Sequence, residues 1–171
     1  MAPARPGSSR PWPLQVGRRG RRCSIGNEVG ARMTAEAERA ARQTLDSYMA
    51  AWNAEDNDGV RAALNFPHVM LGPAGQVVVA SGPAEIATDF AAFRAREGWG
   101  SSTLDAFEAV DSTATKVHCK VRFSRYRPDG TKYGSGRMLY IVTNQDGHWG
   151  IQLRSGMPDA DLLRARDDGP R

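Results

Sequence analysis

The stretch KVHCKVRFSRYRPDGTKYGSGRMLYIVTNQDGHWGIQLRS, residues 116–155, decides the fold. Its first part sets Val117, Cys119, Val121 and Phe123 in alternation with Lys116, His118, Lys120, Arg122 and Ser124. A period of two with one apolar and one polar set marks a half-buried β-strand. Pro128-Asp129-Gly130 and Asp146-Gly147 then supply residues suited to tight turns. With the preceding run, the pattern predicts a meander of four strands near 101–111, 115–127, 133–144 and 148–156. Consecutive strands joined by tight turns pair antiparallel, which excludes a parallel α/β architecture. In the third strand Met138, Tyr140 and Val142 point one way while Leu139 and Ile141 point the other, so both sheet faces need cover. The chain's own helices can cover only one, and the outer face is expected to pack against a second copy as a two-fold dimer.

Upstream the period changes. Ala37, Ala41, Leu45, Tyr48 and Trp52 recur at spacings of four, four, three and four, one stripe of an amphipathic helix with Thr34 as its expected N-cap. A second short helix is expected after the turn-rich residues 53–59, burying Val60, Ala63 and Leu64. Phe66–Leu71 and Gln76–Ala80 flank Gly72-Pro73-Ala74-Gly75 and read as a hairpin. Pro83 suits the first turn of a third helix, in which Ile86, Phe90 and Phe93 face inward before Gly98 ends it. The element order is therefore ααββαββββ, a segregated α+β fold with three helices on one face of a curved sheet.

Length and charge bound the rest. At 171 residues and 40% hydrophobic content the chain supports one well-buried core. Seven arginines precede Met33 against a single acid, Glu28, so this segment carries +6. Of the 23 basic and 19 acidic residues, 16 and 18 remain, and the rest of the chain is at −2. The basic balance belongs to the front segment, and nucleic acid is not expected as a partner. Residues 1–32, rich in Pro and Arg with little apolar periodicity, are expected as a disordered tail, with Met33 as an alternative start. The expected domain spans 33–158, followed by a short C-terminal tail over 159–171. Cys23 and Cys119 offer no metal spacing, no apolar run is long enough for a membrane span, and a cytoplasmic location is the default expectation.

Several motifs resemble the NTF2-like superfamily, which includes SnoaL-like polyketide cyclases and ketosteroid isomerases. They are Leu45-Asp46-Ser47-Tyr48-Met49-Ala50-Ala51-Trp52-Asn53-Ala54-Glu55-Asp56, then Phe66-Pro67-His68-Val69, Tyr140-Ile141-Val142 and His148-Trp149-Gly150-Ile151-Gln152. The resemblance covers about Thr34 to Met157 and is closest to bacterial members without a settled activity. It implies a cone-shaped half-barrel, with helices closing over the concave face of a mixed, mainly antiparallel sheet around a pocket at the wide end. It also implies dimers through the outer sheet face. Isomerases of the superfamily place a carboxylate base on the strand after the second helix, yet no Asp or Glu occurs between Phe66 and Gly82. That absence weighs against the isomerase reaction.

No motif names a reaction, and the candidate residues are read individually. His68 titrates in a range suited to acid–base work and Tyr48 sits where the resemblance places a phenolic donor, so both are catalytic candidates. Each also has a structural reading: His68 donating to a backbone carbonyl, Tyr48 packing as a core aromatic. Trp52, Phe90, Phe93, Trp99 and Tyr140 are expected around the ligand, with Arg154 reaching in from the last strand to anchor a carboxylate. Arg122, Arg125, Arg127, Lys132 and Arg137 read as a solvated hairpin face. No metal or nucleotide cofactor is expected. Two functions follow: a pocket protein binding or slowly transforming a small apolar or aromatic molecule, or a non-catalytic dimeric interaction module whose aromatics fill the pocket.

Overall fold

The structure, a computed structural model, describes residues 24–167. Helix α1 (Ser24–Asn53) carries the expected stripe: Ala37, Ala41, Leu45 and Tyr48 are buried and Trp52 is half-buried. Burying Leu45 alone contributes about 2 kcal/mol. The helix begins earlier than Thr34. Once a helix is nucleated, each added residue gains a hydrogen bond at low cost, and no proline lies between Ser24 and Thr34 to stop it. Thr34 is therefore inside the helix, its hydroxyl donating back to the Ala31 carbonyl at 2.9 Å rather than capping. This moves part of the segment read as a tail, from Ser24 onward, into α1; the expectation for residues 1–23 lies outside the described residues.

Asp56 caps α2 (Asn57–Ala62), accepting from the Asp58 amide at 3.0 Å. Six strands follow: β1 (Leu64–Leu71), β2 (Val77–Ala80), β3 (Ser101–Ser112), β4 (Lys116–Tyr126), β5 (Lys132–Gln145) and β6 (His148–Pro158). They form one sheet in the order β2-β1-β6-β5-β4-β3, with β1 parallel to β6 and all other pairs antiparallel. The alternation of β4 holds from Lys116 to Arg122: Val117, Cys119 and Val121 are buried and meet Val142, Tyr140 and Met138 across the β4–β5 ladder, whereas Ser124, of the expected polar set, is buried and donates to Asp105. Against this inner face lies the α1 stripe, and the two form the main core with Leu64 and Ile151. Burial pushes the Cys119 thiol up to about 12, assisted by the Glu38 carboxylate, so Cys119 is an inert packing residue.

The expected third helix is split. Pro83–Glu85 forms a short 3-10 turn, Ile86 is extended, and Asp89 caps a new helix, α3 (Phe90–Glu97), by accepting from the Ala92 amide at 2.9 Å. Between them Thr88 is clamped to α2, its amide donating to Asn57 Oδ1 at 2.8 Å and its carbonyl accepting from Asn57 Nδ2 at 3.1 Å. Gly98 closes α3 in the left-handed region at φ 62°, where a Cβ is strained.

The segment read as a C-terminal tail instead contains α4 (Ala160–Asp167). Its Leu162 is fully buried against Gly134 of β5, where an added Cβ would lie 2.8 Å from Leu162 atoms. Asp159, just before the helix, adds bonds to Ser135, its amide donating to the Ser135 carbonyl at 2.9 Å and its carboxylate accepting from the Ser135 hydroxyl at 3.0 Å, and so local a set of contacts leaves no periodicity to read.

Candidate functional site

A cavity of about 70 Å³ lies between α1 and the inner sheet face. Tyr48, Met49 and Trp52 line it from α1, Leu104 from β3, Val121, Phe123 and Arg125 from β4, Met138 and Tyr140 from β5, and Arg154 from β6. The position of Arg154 depends on a β-bulge. Val142 pairs with Ile151 but Ile141 pairs with Leu153, so Gln152 is the extra residue. Strict alternation from the inward Ile151 would turn Arg154 outward; the bulge reverses the phase and sets it opposite inward Tyr140. Arg154 Nη1 then donates to the Tyr48 hydroxyl at 2.6 Å, and Nη2 contacts Met70 Sδ at 2.9 Å.

Beyond Trp52 the aromatic side chains close up. Trp52 lies edge-on to Phe90 at 5.2 Å, Phe93 at 5.6 Å and Trp99 at 6.4 Å between centroids. Trp99 is 1% exposed, and its indole donates to Ser102 Oγ at 2.9 Å. Phe90, Phe93 and Trp99 form a second core cluster, with Trp52 and Tyr133 packed against it.

Arg125 departs from the solvated hairpin face expected of it. It continues the inward set Val121, Phe123, and its side chain is only 13% exposed. It pairs with the Glu97 carboxylate, itself 1% exposed, and stacks over Phe93 and Phe123. Tyr133 Oη donates to the same carboxylate at 3.4 Å. Glu97 was not among the candidates, although Phe90, Phe93 and Glu97 at spacings of three and four share one helix face, which was the available signal.

His68 is fully buried in the wall rather than on the cavity surface. Its Nδ1 lies 2.9 Å from the Ile151 carbonyl, where the β1–β6 register shifts between Leu64 and Val69. A carbonyl only accepts, so Nδ1 carries the proton, and Nε2 has no hydrogen-bond partner among the described residues. Burial lowers the His68 pKa to about 4 against the opposing carbonyl bond, and the Arg154 charge adds to the lowering. The structure thus brings together Tyr48, Trp52, Tyr140 and Arg154, sets Phe90, Phe93 and Trp99 behind Trp52, and leaves His68 apart. Among the described residues no group of three or more His, Cys, Asp or Glu is arranged to hold a metal ion, and no helix is long and apolar enough to cross a membrane.

A family model described as NTF2-like protein (DUF6841) matches residues 36–153. An NTF2-like protein with a cystatin-like fold from Novosphingobium aromaticivorans superposes with a TM-score of 0.63 at 12% identity, covering 85% of this chain and 98% of its own. A structure from Catenulispora acidiphila in complex with S-DNPA gives 0.60 at 15% identity, over 76% of this chain and 98% of its own. A protein of unknown function with a cystatin-like fold from Nostoc punctiforme gives 0.57 at 16%, over 70% and 88%. At these identities the likeness is one of fold. No curated protein matches the chain. With helices laid on a mixed six-stranded sheet and the family model matching more than half of its length, the chain belongs to the NTF2-like protein (DUF6841) family.

Proposed function

We propose that the chain binds a small apolar or aromatic molecule in the cavity between α1 and the inner sheet face. The observation that carries this reading is the convergence of Tyr48, Tyr140 and Arg154 in a mainly apolar and aromatic lining whose other polar members are Ser102 and the Glu97-paired Arg125. Binding sites combine apolar walls with a few placed polar groups in this way. Tyr48, Trp52, Tyr140 and Arg154 contact the ligand, while Phe90, Phe93 and Trp99 hold Trp52 in place. His68 holds the wall, and Tyr48 is able to donate its O–H to a ligand oxygen. The S-DNPA complex of the Catenulispora acidiphila protein supports the idea that this fold receives small molecules. In a thermal-shift screen of steroid-like and polyketide-like compounds, at least one is expected to raise Tm saturably, since a ligand at a hundred times its Kd stabilises by about 2.7 kcal/mol.

One observation favours a second reading, the dimeric interaction module. The cavity, at about 70 Å³, is well below the roughly 300 Å³ at which ligand pockets begin. A screen in which no compound shifts Tm would favour it. Both readings include a dimer through the outer sheet face, supported by Leu139 and Met157, 40% and 57% exposed, beside a groove of about 430 Å³ there. Light scattering on the full chain is expected to give about twice 18.6 kDa, and a monomer at micromolar concentration would remove the dimer from both.

A further inference from the structure

The polar end of the cavity holds donors without acceptors. Arg154 presents five N–H groups, of which one meets the Tyr48 hydroxyl and another only the weakly accepting Met70 sulfur. No carboxylate among the described residues pairs with it. The contrast is with Arg125 in the same cavity, whose charge is matched by Glu97. Because the Tyr48 oxygen already accepts from Arg154, its own O–H remains to be donated. The Tyr140 hydroxyl has no hydrogen-bond partner among the described residues, and its ring lies 6.4 Å from that of Tyr48. Burial pushes the Tyr140 phenol up, so it stays a donor at neutral pH.

A partly buried guanidinium beside two unused hydroxyl donors is unfavourable until an anion completes it. Volume and lining narrow the choice. A cavity of about 70 Å³ has room for a planar carboxylate head. The neighbouring wall is Leu104, Phe123 and the flexible thioethers of Met49 and Met138, which suit an apolar tail. A phosphate dianion would bring more charge than one guanidinium balances and more oxygens than these donors satisfy. We infer that the ligand is a small monocarboxylate with an apolar body, its carboxylate held by Arg154 with the Tyr48 and Tyr140 hydroxyls. This rests on the pocket reading above and adds the chemical class of the ligand.

The test is an NMR titration of the ¹⁵N-labelled full chain with sodium butyrate, butanamide and inorganic phosphate, following the backbone amides of Tyr48, Tyr140 and Arg154. Butyrate is expected to shift them saturably and to bind at least tenfold more tightly than butanamide, with no saturable shift from phosphate. Arg154→Met is expected to abolish the preference for butyrate, and Arg154→Lys to retain part of it. The comparison of butyrate with butanamide needs only the wild-type chain, so it decides even if a variant folds poorly. Equal binding of butanamide would overturn the carboxylate while leaving the pocket reading standing, and equal binding of phosphate would make the site a general anion hole. Silence from butyrate overturns the carboxylate, and silence from butanamide and the compound screen as well overturns the pocket with it.

Discussion

Replacing Glu97 by alanine is expected to lower the unfolding free energy by about 3–5 kcal/mol, the usual cost of removing one partner of a buried ion pair. The cost comes from what is left behind. The Arg125 side chain, 13% exposed and held between Phe93 and Phe123, cannot recover its hydration when the carboxylate is lost. Arg96 also meets Glu97, at 3.3 Å, but its side chain is 62% exposed and water screens that contact. The same reasoning makes a paired replacement cost less than its two parts. Glu97→Gln with Arg125→Met removes both charges, so its loss is expected to fall short of the sum of the single losses by more than about 1 kcal/mol. Urea unfolding of the wild type, the two single variants and the double variant measures that coupling, and Glu97→Ala beside them measures the first quantity. A Glu97→Ala loss below about 1 kcal/mol, or additive single losses, would show the pair to be screened by solvent and not holding α3 to β4.

That pair also shows where a sequence is legible and where it is not. Periodicity reports what many residues do together: five residues at helical spacing gave α1, and the alternation of Val117, Cys119, Val121 and Phe123 gave β4 and with it the meander. Features resting on one or two residues left no such trace. Leu162 docks α4 because Gly134 lacks a side chain, a match between residues 28 positions apart. Arg125 sits among exposed Arg122 and Arg137 in composition, although its phase in β4 is inward. The bulge at Gln152 reverses the facing of everything after it, so strict alternation along β6 could not place Arg154. Of the five aromatic residues expected around the ligand only Trp52 and Tyr140 line the cavity, and the Glu97–Arg125 pair left no sign in the sequence, because charge pairing depends on which distant residues meet.

His68 makes the second large prediction, and the sign follows from its environment. Its pKa falls from 6.5 to about 4 on folding, because burial strips water from the imidazolium and Arg154 repels it. The unfolded chain therefore binds a proton more readily between those values. The stability contributed by neutral His68 is complete above pH 6.5 and is lost as the pH falls to about 4, with no further loss below. The size is about 3 kcal/mol, at roughly 1.4 kcal/mol for each tenfold difference in proton affinity between the folded and unfolded chain. Carboxylates titrate in the same window, so the quantity to read is the difference between the wild type and His68→Gln. Glutamine keeps an N–H for the Ile151 carbonyl and has nothing to titrate. Urea unfolding at about pH 7 and pH 4 is expected to show the wild type losing about 3 kcal/mol more than the variant, while butyrate binding at neutral pH is alike in both. Parallel stability curves would mean that His68 is solvated, and lost binding in the variant would bring it back to the cavity as a functional group. The expected pattern instead makes His68 the donor that closes the β1–β6 ladder where its register breaks, leaving Tyr48 and Arg154 to meet the ligand.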